Sequence, residues 1–82
     1  MTEHSGLPVS GYRPQSDDAV NLVNRNKQLE ESVLRTLDGL ATRDWIDKGW
    51  LAIGRAAIEQ GFMAMNRAVF QPTRVKLDGD NA

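Results

Sequence analysis

Between Gly49 and Phe70 apolar residues recur three and four positions apart with no proline among them, which predicts an amphipathic helix of about 22 residues, ~33 Å long at 1.5 Å per residue. The stretch carries two seams. Gly54, Ala57, Gly61, Ala64 and Ala68 form one, and all five are tiny. Leu51, Ile58, Phe62, Met65 and Val69 form the other, about a quarter-turn round, and these are large. A bulky face builds a core, whereas a bare face lets another backbone come close. Each glycine costs the helix roughly 1 kcal/mol relative to alanine, and packing against a neighbouring copy would offset that cost. Asp47 is the expected N-cap. Pro72 stops the helix and biases Gln71 away from helical angles.

An earlier segment has the same period. Ser16 is a good N-cap, Asp17 and Asp18 suit the positive end of a helix dipole, and a first helix is expected from about Asp17 to Leu40. Leu22, Leu29, Val33, Leu37 and Leu40 make its expected core stripe, with Val23 and Leu34 beside it. Asn26 interrupts that stripe, and Lys27 lies at its edge, in line with Val20, Val23 and Leu34. Ala41 to Lys48 connects the two helices, with Thr42 as a second candidate cap and a short helical turn expected at Trp45–Ile46. Trp45 and Trp50 are expected to pack over the loop end. The fold class is therefore all-α: a hairpin of two long helices behind an N-terminal strap, assembled into a homo-oligomer. Two helices of this length cannot cover both seams of the second one.

Before the first helix, Gly6, Pro8, Gly11 and Pro14 exclude regular structure in residues 1–15, and most of that segment is expected to be mobile. Residues 16–72 form the helical oligomerisation and ligand-binding unit, and residues 73–82 read as a polar, flexible tail. Gly11-Tyr12-Arg13-Pro14 places the chain's sole tyrosine and a guanidinium between a permissive glycine and a rigid proline. Two readings of Tyr12 stand: a plug at the end of the bundle, or a lid that stacks on a nucleobase. Lys27 either snorkels to solvent or holds a phosphate as a point charge, with Asn24 as a second polar group at that end. Glu30 and Glu31 are a solvated face, or one of them meets a base edge. Arg67 is either solvated or, if the seam packs round a symmetry axis, one of several converging guanidinium groups that need an anion between them.

Composition removes several classes of function. With 82 residues the chain is one domain at most, and a core this small commonly needs staples or oligomerisation. The absence of cysteine excludes disulfides, thiolate metal sites and cysteine nucleophiles. His4 is the sole histidine, so no metal site or catalytic triad is expected. A net charge of −1 gives no basic field for DNA or RNA. No apolar run approaches a membrane span, and no signal-peptide layout is present. A soluble, intracellular protein is expected.

Two stretches carry a family resemblance. Gly11-Tyr12-Arg13-Pro14, followed by Val23-Asn24 and Lys27, is one. The other is Gln60-Gly61-Phe62-Met63-Ala64-Met65-Asn66-Arg67-Ala68-Val69-Phe70-Gln71-Pro72. In this order and spacing they resemble the small phage-encoded anti-CBASS sponges, the second anti-CBASS family described, over roughly residues 7 to 72. The resemblance implies a compact helical hexamer that binds cyclic dinucleotides such as cyclic GMP-AMP between protomers without cleaving them. In the host cytoplasm it would keep CBASS effectors from being switched on. It implies stacking by Tyr12 and a phosphate contact by Lys27, with Gly11, Arg13, Pro14 and Asn24 around them. Some members hold cyclic trinucleotides on a three-fold axis through the arginine matching Arg67. The chain departs from the family pattern at Gly54 and Ala56-Ala57, where stronger helix formers and a threonine-histidine pair are common. It also has no serine or threonine between Asp17 and Glu31, where the family's trinucleotide site draws on a hydroxyl.

No catalytic residue, metal or cofactor is expected. A phosphodiesterase would need clustered carboxylates or histidines, and the acidic residues here fall mainly on caps and solvent faces. The remaining alternative is a small helical oligomeric protein-interaction module that binds no nucleotide.

Overall fold

The computed structural model describes residues 13–80. Two antiparallel helices make an all-α hairpin: α1 spans Asp17–Ala41 and α2 spans Lys48–Phe70. No strand occurs among the described residues. Both helix starts follow from their caps. The Ser16 hydroxyl accepts from the Ala19 amide at 3.1 Å, and an Asp47 carboxylate oxygen accepts from the Trp50 amide at 3.0 Å.

The link between the helices is a turn with no helix in it. Thr42 Oγ1 and Arg43 Nη1 donate to the Gly39 carbonyl at 2.7 and 3.1 Å, capping α1 where its last turn has no basic residue. Lys48 Nζ reaches back to the carbonyls of Arg43 and Ile46 at 2.5 and 3.3 Å. The expected tryptophan lid is absent. Trp45 is 78% exposed and Trp50 72%. Main-chain hydrogen bonds already close this turn, so it forms without aromatic cover.

The contact face of α1 is also turned from its expected position. Val23 (4% exposed) and Leu37 (8%) are the buried residues among those described. Ala19, Asn26, Glu30, Val33 and Leu40 are half-buried and complete the stripe, while Leu22 and Leu29 stand exposed on its flank. Asn26 explains the rotation. It does not interrupt the stripe; its Nδ2 donates to Asn66 Oδ1 at 3.0 Å across the hairpin. On α2 the matching substitution is Asn66 for Met65, which is exposed. Each leucine left outside forgoes part of the ~1.5–3 kcal/mol of full burial, so the rotation places large apolar side chains where a second chain can cover them.

This polar pair sets the register of the two helices. Asn66→Leu alone should destabilise the protein by about 1–2 kcal/mol, because it strands the Asn26 amide. Adding Asn26→Leu should restore most of that loss. A double-mutant cycle by chemical denaturation measures the difference.

No residue of α2 is buried. Leu51, Gly54, Ile58, Phe62, Asn66 and Val69 face α1 and are half-covered. Ala57, Gly61, Ala64 and Ala68 are exposed, and a Cβ built on Gly54 or Gly61 meets nothing within 4 Å. One ion pair ties the flank, Arg55 Nη2 to Asp38 Oδ1 at 2.5 Å. Beyond α2, residues 73–80 form no helix or strand; a turn there is closed by the Asp80 carboxylate, which accepts from the Leu77 amide at 2.7 Å.

Candidate functional site

The strap is fastened at the pole where α1 begins and α2 ends. Gln71 terminates α2 in the left-handed region (φ 48°, ψ 58°), and its amide donates to the Arg67 carbonyl at 2.6 Å. A non-glycine residue in that conformation is uncommon. Here Pro72 prevents continuation of the helix, and Arg13 holds the exit: its Nη1 donates to Gln71 Oε1 at 3.2 Å and to the Gln71 carbonyl at 3.4 Å. Gln15 Nε2 bridges the Phe70 and Arg13 carbonyls, both at 2.9 Å. The end of the segment expected to be mobile is thus tied to residues 55 to 58 positions away.

A cleft of about 420 Å³ opens beside this clasp, within the range of small-molecule sites. Arg13, Gln15 and Pro72 form its end, Glu30 its α1 wall, and Glu59, Met63, Asn66, Arg67 and Phe70 its α2 wall. Glu59, Met63 and Arg67 are spaced four apart and so share one side of α2. The lining combines two guanidinium groups, two carboxylates, a thioether and a phenyl ring. That set can hold an anion, accept from N–H donors and lie against a flat apolar ring.

The structure brings some predicted residues together and leaves others apart. Arg13 and Arg67 share the cleft. Pro14 is exposed and adjoins it in sequence. Lys27 and Asn24 are exposed and do not line it; Lys27 stands three residues before Glu30, at the edge of the α1 wall. Gly11 and Tyr12 lie outside the described residues. Glu30, Glu59, Met63, Asn66, Phe70, Gln15 and Pro72 line the cleft without having been singled out as binding residues, apart from the base-edge reading of Glu30 and Glu31. The i, i+4, i+8 spacing of Glu59, Met63 and Arg67 was the available signal. It was masked because Met63 reads as one more apolar helix residue.

The described residues thus form a two-helix hairpin with a polar cleft at the pole where its ends meet. The family model of the Acb2/Tad1 hairpin domain matches residues 7–70. The chain belongs to that family, the anti-CBASS sponges. No curated protein matches it. Among the described residues no group of three metal-ligating side chains occurs, and no helix is long and apolar enough to cross a membrane.

Proposed function

We propose that the protein is a non-catalytic sponge that sequesters cyclic dinucleotides, with cyclic trinucleotides as further ligands, and so blocks activation of CBASS effectors in the host cytoplasm during phage infection. The family match over residues 7–70 carries this reading, and the cleft supplies chemistry that suits it. A cyclic dinucleotide presents two bases and two phosphates in a compact disc. Each stacked base contributes about 1–3 kcal/mol and each charged contact to phosphate about 1.5–3 kcal/mol. Two of each suffice for tight binding after ordering costs.

In this reading residues 1–15 are the lid, residues 16–72 the assembling and binding unit, and residues 73–82 a tail. Tyr12, adjoining the anchored Arg13, stacks on a base, with Gly11 giving the lid its hinge and Pro14 stiffening its root. Lys27 and Asn24 stand outside the cleft lining of their own chain, so they meet a ligand held between two protomers, where one chain's α1 faces the other's strap. Arg67 holds phosphate, and copies of it converge on a trinucleotide. The exposed small-residue seam of α2 joins the copies, a hexamer by family analogy. Sequestration needs slow release and many copies and no chemical step.

Calorimetric titration of the purified oligomer with cyclic GMP-AMP, followed by proteolysis and chromatography of the released nucleotide, tests the proposal. Strong heat and intact cyclic ligand are expected. Linear product would overturn the sponge reading in favour of an enzyme, and absence of heat with every cyclic di- and trinucleotide would favour the protein-interaction module.

A further inference from the structure

Glu30 occupies an unusual place for a carboxylate. It lies on the inward stripe of α1, between Asn26 and Val33, and is half-buried there. No unpartnered side-chain oxygen is sealed from solvent among the described residues, so the oxygens of Glu30, which lines the cleft, are open to a ligand bound there. Among the described residues no hydrogen bond or ion pair engages Glu30. The two cations of the cleft do not satisfy it either. Arg13 is committed to Gln71, and the Arg67 side chain makes no ion pair. Asn66 accepts from Asn26 through its Oδ1, and no bond runs from its Nδ2 to Glu30.

We propose that Glu30 reads the Watson–Crick edge of a guanine in the bound cyclic nucleotide; this rests on the sponge reading and adds a base preference to it. An ionised carboxylate is acceptor-only, with two oxygens side by side. Guanine offers two adjacent donors on that edge, N1–H and the N2 amino group, and so fits it bidentately. Adenine offers one donor, N6–H, beside the N1 lone pair, which faces a carboxylate oxygen unfavourably. Cytosine likewise pairs one donor with one acceptor, and uracil places its single donor between two carbonyls. Charge-assisted bonds of this kind are the strong ones, and a site built to accept from two donors rejects a base that lacks one. In the same cleft Phe70 offers a surface for the ring and Arg67 a partner for the phosphate. Glu59, exposed on the facing wall, keeps water and need not be paired.

The test uses the full-length oligomer and three probes: cyclic GMP-AMP, its inosine analogue lacking only the 2-amino group, and cyclic di-AMP. The wild-type protein should bind them in that order, with about a tenfold loss at the first step, the scale of one charge-assisted bond. Glu30→Gln keeps shape and volume while offering one acceptor and one donor, the complement of adenine. It should erase the gap between cyclic GMP-AMP and its inosine analogue and bring cyclic di-AMP level with or ahead of both. Circular dichroism and oligomer mass check that the variant is folded. Equal heats from all three ligands with wild-type protein overturn this inference alone. So does a uniform fall in Glu30→Gln that leaves the order intact, as expected if Glu30 merely positions Arg67. Silence from all three ligands overturns the sponge reading and this one with it.

Discussion

Replacing Gly61 with leucine should break the proposed assembly into single hairpins, taking the mass in sedimentation or light scattering down to the 9.1 kDa of one chain. Within one hairpin the substitution is harmless. A Cβ at Gly61 meets nothing within 4 Å, and leaving glycine gains roughly 0.8–1 kcal/mol of helix propensity. The same side chain between two closely packed helices would drive their backbones apart, a cost of about 1–3 kcal/mol at each seam, repeated at every symmetric contact. The two states therefore respond with opposite sign: helicity of the dissociated chain is retained or raised, and association is lost. An unchanged mass would show that copies meet elsewhere, with the exposed Leu22, Leu29 and Met65 as the next face to test.

Tyr12→Ala should remove most of the thermal stabilisation conferred by cyclic dinucleotide while leaving helix content and oligomer mass intact. Ligand at a hundredfold excess over Kd stabilises the wild-type protein by about 2.7 kcal/mol. Removing a stacked ring costs about 1–3 kcal/mol per base, and a two-fold ligand loses it twice. Affinity should fall about 30-fold or more, enough to remove most of the shift at the same ligand concentration. Tyr12→Phe keeps the ring and should keep most of the shift. If Tyr12 instead plugs the hairpin end, Tyr12→Ala lowers the melting point without ligand and leaves the ligand-induced shift in place. Differential scanning fluorimetry of the three proteins, with and without cyclic GMP-AMP, distinguishes these results.

Helix type, number and limits were legible in the sequence because they depend on local chemistry. Ser16, Asp47 and Pro72 are punctuation that acts within a few residues, and both caps make the expected bonds. The rotation of α1 was not legible. Leu22 and Leu29 are more apolar than Asn26, so periodicity alone favours them for the core. The preference reverses only when Asn66, 40 positions on, supplies a partner. The tryptophans failed for a related reason: size argues for burial, but whether apolar surface lies within reach of Trp45 depends on how tightly the turn closes. At the site, Arg13 and Arg67 could be singled out as charged residues in distinctive surroundings. That they share one cleft with Glu30 depends on the strap crossing to the end of α2, and side-chain bonds spanning more than 50 residues leave no periodic trace.

The clasp of Arg13 and Gln15 on Phe70 and Gln71 gives the hairpin a polarity: residues leading into α1 and out of α2 depart from one pole, and the turn holding Asp44 marks the other. Probes attached near Gln15 and near Asp44 therefore label opposite ends of a rod. Distances between identical probes in a multi-subunit particle would then tell head-to-head stacking from head-to-tail without any crystal.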